Sequence, residues 1–101
     1  MINIDELKTF DAAEYLETNE DIAVFLDEAF KSGSAKHIAS AIGIVARAKG
    51  MTEIAKKSGI RREQLYQSLN ENSNPTLATI LPILSALDVQ LNVSTKHPMP
   101  A

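Results

Sequence analysis

The chain has 101 residues, 45% of them hydrophobic and 23% charged, with a net charge of −3 and no cysteine. A single domain of this size buries a core but gains from self-association, and zero cysteines exclude a disulfide framework, a thiolate zinc site and a cysteine nucleophile. Charges run through residues 1–20 and no apolar run approaches membrane-spanning length, so neither a secretory leader nor a membrane span is expected, and a reducing cytoplasm is the expected setting.

Thr9 is placed to cap a short helix over residues 9–16. Thr18 or Asn19 starts the next, and Asp21, three residues after Thr18, completes a capping-box pattern. Ile22, Phe25, Leu26, Ala29 and Phe30 follow at i, i+3, i+4, i+7 and i+8, one face of an amphipathic helix that Gly33 stops. Ser34 caps a further helix with Ile38, Ala41, Ile42 and Val45 inward and Gly50 as its end.

Residues 51–70 read as two short helices joined by a glycine turn. Ile54 and Ala55 give the first a small apolar face that lets a second helix cross closely. Gly59 caps it, because the chain must turn through a left-handed conformation that glycine adopts cheaply. Ile60 plugs the core at the turn, and Leu65 and Leu69 anchor the second helix at i and i+4. Arg61, Arg62, Glu63, Gln64, Tyr66 and Gln67 are left facing outward at the start of that helix, the end that enters the major groove in a helix-turn-helix. The pattern therefore implies DNA.

Residues 70–75 form a polar loop, and Thr76 caps a last helix through Leu87 with Leu77, Ile80, Leu81 and Leu84 inward. Pro82 inside it deletes one backbone hydrogen bond and clashes with the preceding turn, which predicts a kink or a late start. Val89, Leu91 and Val93 alternate with Gln90, Asn92 and Ser94, the period of a strand over residues 89–94. A lone strand needs a partner: its copy in a second subunit, the segment from Ile2 to Ile4, or another protein's sheet edge. The Pro-rich residues 95–101 read as a flexible tail.

The net charge conceals a division. Residues 1–30 hold nine acids and one base, a net −8, whereas residues 31–101 hold nine bases and four acids, a net +5. The basic part contains the two-helix motif. His37 and His97 have no partner at ligand or triad spacing, and no glycine phosphate loop or metal-ligand spacing is present, so no enzyme, metal or cofactor is expected.

Ile54-Ala55-x-x-x-Gly59-Ile60, the six-residue step to Tyr66, and Asn74-Pro75-Thr76 before an apolar helix resemble the phage-repressor (Cro-type, XRE-like) helix-turn-helix domain. Phe10-Asp11-Ala12-Ala13-Glu14-Tyr15-Leu16, Asp21-Ile22-Ala23-x-Phe25-Leu26 and Ile44-Val45-Ala46-Arg47-Ala48-Lys49-Gly50-Met51, with Leu65-Tyr66 and Leu69, are similar to the probable addiction-module antidote proteins, the antitoxin halves of bacterial toxin-antitoxin pairs. The resemblance spans roughly residues 9–94. It implies an all-α, lambda-repressor-like helix-turn-helix bundle of five to six helices with a short carboxy-terminal β-strand. The whole would be one domain: acidic helices over 9–33, the helix-turn-helix core over 34–88, the strand over 89–94 and the tail over 95–101.

Arg62, Glu63 and Gln67 match family positions that meet base edges, with Gln64 next in line. Arginine pairs bidentately with guanine and glutamine with adenine, while Glu63 could accept from cytosine or orient Arg62. Thr52, Lys56, Arg61, Asn70, Asn72, Ser73 and Asn74 are placed to meet phosphates on either side of the groove. For the Asn/Ser loop, ordinary turn chemistry is an equal alternative. Tyr66 reads as a packing residue with a surface hydroxyl rather than a base stacker. The sequence departs from the repressor pattern at Arg61, where a Ser or Thr helix cap is usual.

The resemblance implies a homodimer whose recognition helices, about 34 Å apart, read a palindromic operator near its own promoter. It also implies a cognate toxin, for which the acidic first thirty residues are a candidate surface, the alternative being a plain solvated face. A stand-alone regulator without a toxin, or an interaction module that has lost DNA binding, are the other readings.

Overall fold

The computed structural model describes residues 15–97 as an all-helical bundle. Helix α1 (Asn19–Lys31) begins at a reciprocal capping box: the Thr18 hydroxyl accepts from the Asp21 N–H at 3.0 Å and the Asp21 carboxylate accepts from the Thr18 N–H at 3.2 Å. Two otherwise unpaired donors are satisfied, which starts the helix where the sequence predicts. Ile22, Leu26 and Ala29 are buried and Phe25 and Phe30 half-buried, so the expected apolar face is the inner one. On the outer face Lys31 pairs with Asp27 at 3.0 Å. The hydrogen bond that Lys31 donates to Asp27, then the charges of Asp27 and Glu28, hold the exposed Lys31 ammonium above the usual lysine range.

The chain reverses at Gly33, whose φ of +71° lies in the left-handed region. Helix α2 (Ala35–Lys49) then starts under the Ser34 hydroxyl, which accepts from the His37 N–H at 3.2 Å. α2 packs against α1, and also against helices α3 (Met51–Ser58) and α4 (Arg62–Ser68). A helix with neighbours on several sides buries more than one stripe. Ala39, Gly43 and Ala46 are therefore buried beside the expected Ala41, Ile42 and Val45, while Ile38 is only half-buried.

α3 packs against helix α5 (Leu77–Ala86) through a core containing Met51, Ile54, Ile80, Ile83 and Leu84. In α5 the inward residues are Ile80, Ile83, Leu84 and Ala86, with Leu87 buried just beyond its end, whereas Leu77 is 62% and Leu81 48% exposed. The expectation that Leu77 and Leu81 point inward is corrected. The segment from Leu77 to Leu87 is apolar nearly all round, so periodicity does not single out a face, and the position of α3 decides it.

Thr76 stands at the start of α5, but its side chain does not cap the helix and lies instead 3.4 Å from the Thr79 hydroxyl. The Thr76 carbonyl takes the N–H groups of Thr79 and Ile80, both at 3.0 Å. Pro82 lies within α5, which starts at Leu77 and continues to Ala86. The missing donor leaves one acceptor, the carbonyl of Ala78, and Ala78 is exposed to water.

The strand expected over 89–94 is also corrected, since no strand forms among the described residues. Asp88, at φ 60°, ends the turn after α5, and Val89 donates back to the Leu84 carbonyl at 3.0 Å. Beyond it the chain up to His97 forms neither helix nor strand, with Val93 99% exposed. Alternation gives a segment the shape of a strand, but a strand exists only where a second one offers its backbone. Ile2 to Ile4 lie outside the described residues, as do most of the helix expected over 9–16 and the end of the tail. Leu16, at the edge of that helix, is buried in the core. No helix among the described residues is long and apolar enough to cross a membrane.

Candidate nucleic-acid interface

α3 and α4 are joined by Gly59, Ile60 and Arg61 alone. Gly59 sits at φ 76° and its N–H closes α3 on the Ala55 carbonyl at 3.0 Å. Its left-handed conformation reverses the chain within three residues, while the Ser58 hydroxyl accepts from the Ile60 N–H at 3.2 Å. Ile60 is half-buried against the core, and Leu65 and Leu69 are fully buried. The two leucines fix which way α4 faces.

That orientation leaves Arg62, Glu63, Gln64 and Gln67 exposed together on α4. Thr52 and Lys56 on α3 and Arg61 at the turn are exposed as well. Arg61 occupies the cap position without a side-chain hydrogen bond, so the start of α4 carries no capping oxygen. Residues 47–70 contain six bases and two acids, a net +4, against four acids and one base in α1. The charge division along the chain is thus also a division between elements.

The loop after α4 is held by its own side chains. The Asn70 amide donates to the carbonyls of Tyr66 and Gln67 at 3.1 and 3.0 Å, closing the end of α4, and the Asn70 side-chain oxygen accepts from the Asn72 N–H at 2.8 Å. The Ser73 hydroxyl accepts from the Asn70 N–H at 3.2 Å and lies against the carbonyls of Ser68 and Asn70. Asn70 and Ser73, both half-buried, are therefore occupied in shaping the loop, whereas Asn72 and Asn74 are exposed.

Tyr66 lies 39% exposed on α4 with two arginines about it. The Arg62 guanidinium is 5.2 Å from its ring centroid and donates to its hydroxyl at 3.3 Å, and Arg47 of α2 is 5.7 Å from the same ring. Sequence reasoning attached no role to Arg47. It lies nineteen positions before Tyr66, and only the crossing of α2 and α4 brings it there.

No polar or charged residue is buried among the described residues, and no three His, Asp or Glu side chains among them converge to hold a metal ion. The surface offers hydrogen-bond donors, acceptors and positive charge on an exposed helix. That is the chemistry of reading a groove and meeting phosphates.

No solved structure matches the chain. A protein of Haemophilus influenzae strain Rd, itself uncharacterized, is 42% identical over 89 residues, which cover 88% of this chain and 92% of that protein. The family model described as "Probable addiction module antidote protein" matches residues 6–95. On that match the chain belongs to the probable addiction module antidote proteins.

Proposed function

We propose that the protein is the antitoxin of a bacterial toxin-antitoxin pair, and that it represses its own operon by reading DNA through a lambda-repressor-like, XRE-type helix-turn-helix. In this reading α3, Gly59 and α4 are the motif, and α4 enters the major groove. The observation that carries it is the contiguous exposed face of Arg62, Glu63, Gln64 and Gln67, backed by fully buried Leu65 and Leu69. Those four residues meet base edges. Thr52, Lys56, Arg61, Asn72 and Asn74 meet phosphates, and Asn70 and Ser73 contribute mainly by shaping the loop that presents the last two.

Two copies would present two such helices to a palindromic operator. The exposed Leu77, Leu81, Leu91 and Val93 are apolar surface that a second copy or a toxin would cover. The family name supports a toxin partner. α1, with Glu20, Asp21, Asp27 and Glu28 beside exposed Val24, suits a basic protein surface by charge and by apolar contact. The role is one of binding, not catalysis.

The test is fluorescence anisotropy of the purified chain against a duplex from immediately upstream of its own gene, beside a shuffled duplex, at physiological salt. Preference for the native duplex by several hundredfold or more, toward the roughly 10³-fold at which specific sites begin, supports the reading. Equal weak binding to both refutes it and leaves a protein-interaction module on the same fold.

A further inference from the structure

Arg62 is the residue on α4 best suited to a guanine, yet a free arginine samples many rotamers, and each must be given up when it docks. The structure already limits that freedom. Its guanidinium rests 5.2 Å from the Tyr66 ring centroid and is hydrogen-bonded to the Tyr66 hydroxyl at 3.3 Å, one helical turn along. Tyr66 is in turn contacted at its backbone and at its ring. The Asn70 amide donates to its carbonyl at 3.1 Å, and Arg47 of α2 places a second guanidinium 5.7 Å from its ring.

We infer that Tyr66, with Arg47 behind it, is a positioning residue that presets Arg62 for base recognition. The inference rests on the DNA-binding reading above and deepens it. Arg47 acts in two ways. It stacks on the aromatic ring as a planar cation, and its positive charge keeps the Arg62 guanidinium from folding back toward α2. Because α2 belongs to the core while α4 is a short surface helix, the Arg47 contact couples the reading residue to the rigid part of the fold. Specificity then depends on residues that touch no base.

The test is a double-mutant cycle in the full chain, read by anisotropy against the upstream duplex and a panel of its single-base-pair variants. Arg62→Ala, Tyr66→Leu and the double variant form the cycle, with Tyr66→Phe, Arg47→Ala and Arg47→Lys beside them. Tyr66→Leu should lower the preference at the Arg62-dependent base pair about 10-fold, inside the roughly 5- to 150-fold that a bidentate contact provides. The double variant should lose no more preference than Arg62→Ala alone. Tyr66→Phe, which keeps the ring and its packing, should lose about 3-fold, and Arg47→Lys, which keeps the positive charge but not the planar guanidinium, should fall between the unsubstituted chain and Arg47→Ala.

A merely structural tyrosine would weaken all duplexes alike and leave the preference intact, and that result overturns the inference. So does multiplicative loss in the double variant. If Tyr66→Leu does not fold, Tyr66→Phe and the two Arg47 variants decide, and an unchanged preference in all three overturns it. Absence of any preference in the unsubstituted chain is a different failure, that of the DNA-binding reading itself.

Discussion

Gly43 should not tolerate a methyl group, although it lies in the middle of α2, where alanine is the better helix former by about 1 kcal/mol. A Cβ at Gly43 would stand under 3.0 Å from the Leu69 carbonyl oxygen, with the Leu69 carbonyl carbon at 3.3 Å and an Arg47 guanidinium nitrogen at 3.1 Å. The arginine can move. The carbonyl cannot do so cheaply, because Leu69 is fully buried and its position is tied to the end of α4. Overpacking costs about 1–3 kcal/mol, and a backbone obstacle places this case at the upper end. Subtracting the gain in helix propensity leaves Gly43→Ala destabilised by about 2 kcal/mol. For a domain of this size that corresponds to a fall in Tm of about 8–16 °C, followed by far-UV circular dichroism. Gly33→Ala is the control, because its space is open and only its φ of +71° opposes a side chain. It should lose about 1–2 kcal/mol and leave DNA binding unchanged. An unchanged or raised Tm in Gly43→Ala would refute the close approach of α2 and α4 on which the placement of Arg47 depends.

Thr18→Ala removes the hydroxyl that accepts from the Asp21 N–H in the α1 capping box, leaving only the backbone N–H of position 18 on the Asp21 carboxylate, and should cost about 1 kcal/mol, measured by urea titration, with little change in m-value. Ile83→Ala should cost about 2–5 kcal/mol, whereas Leu77→Ala, at an exposed position of the same helix, should stay within about 0.5 kcal/mol; equal losses would mean that α5 faces the other way. Arg62→Ala should remove about 1–3 kcal/mol of binding and relax preference at one base pair. Lys56→Ala should weaken every duplex alike and reduce the salt slope by about 1, so identical behaviour of the two variants on native and shuffled duplexes would overturn the assignment of the reading face.

The legible features were those whose cause is local. Thr18 with Asp21, Ser34 and Gly59 announce helix ends because a cap or a left-handed turn is satisfied within a few residues of chain. The spacing of Ile22, Leu26 and Ala29, and of Leu65 and Leu69, marks inner faces because polar residues interrupt it. α5 was misread for lack of that contrast. Thr76 has the right residue type at the right position, but its hydroxyl turned to Thr79, a choice of rotamer that residue type does not decide. The alternation of Val89, Leu91 and Val93 reports a backbone suited to a strand and says nothing about whether a partner is present.

At the candidate site the division is the same. By itself the sequence determined that two short helices meet at Gly59, that their outward residues are polar and basic, and that acidic and basic charge are segregated along the chain. Each follows from residue type and spacing over a few turns of helix. Only the tertiary structure decided that Asn70 and Ser73 are occupied in the loop, that Leu77 and Leu81 lie outside, and that Arg47 reaches Tyr66 and through it Arg62. Those outcomes depend on how helices distant in sequence cross, and the crossing is set by what fits between them: a glycine at position 43 where α2 meets the end of α4.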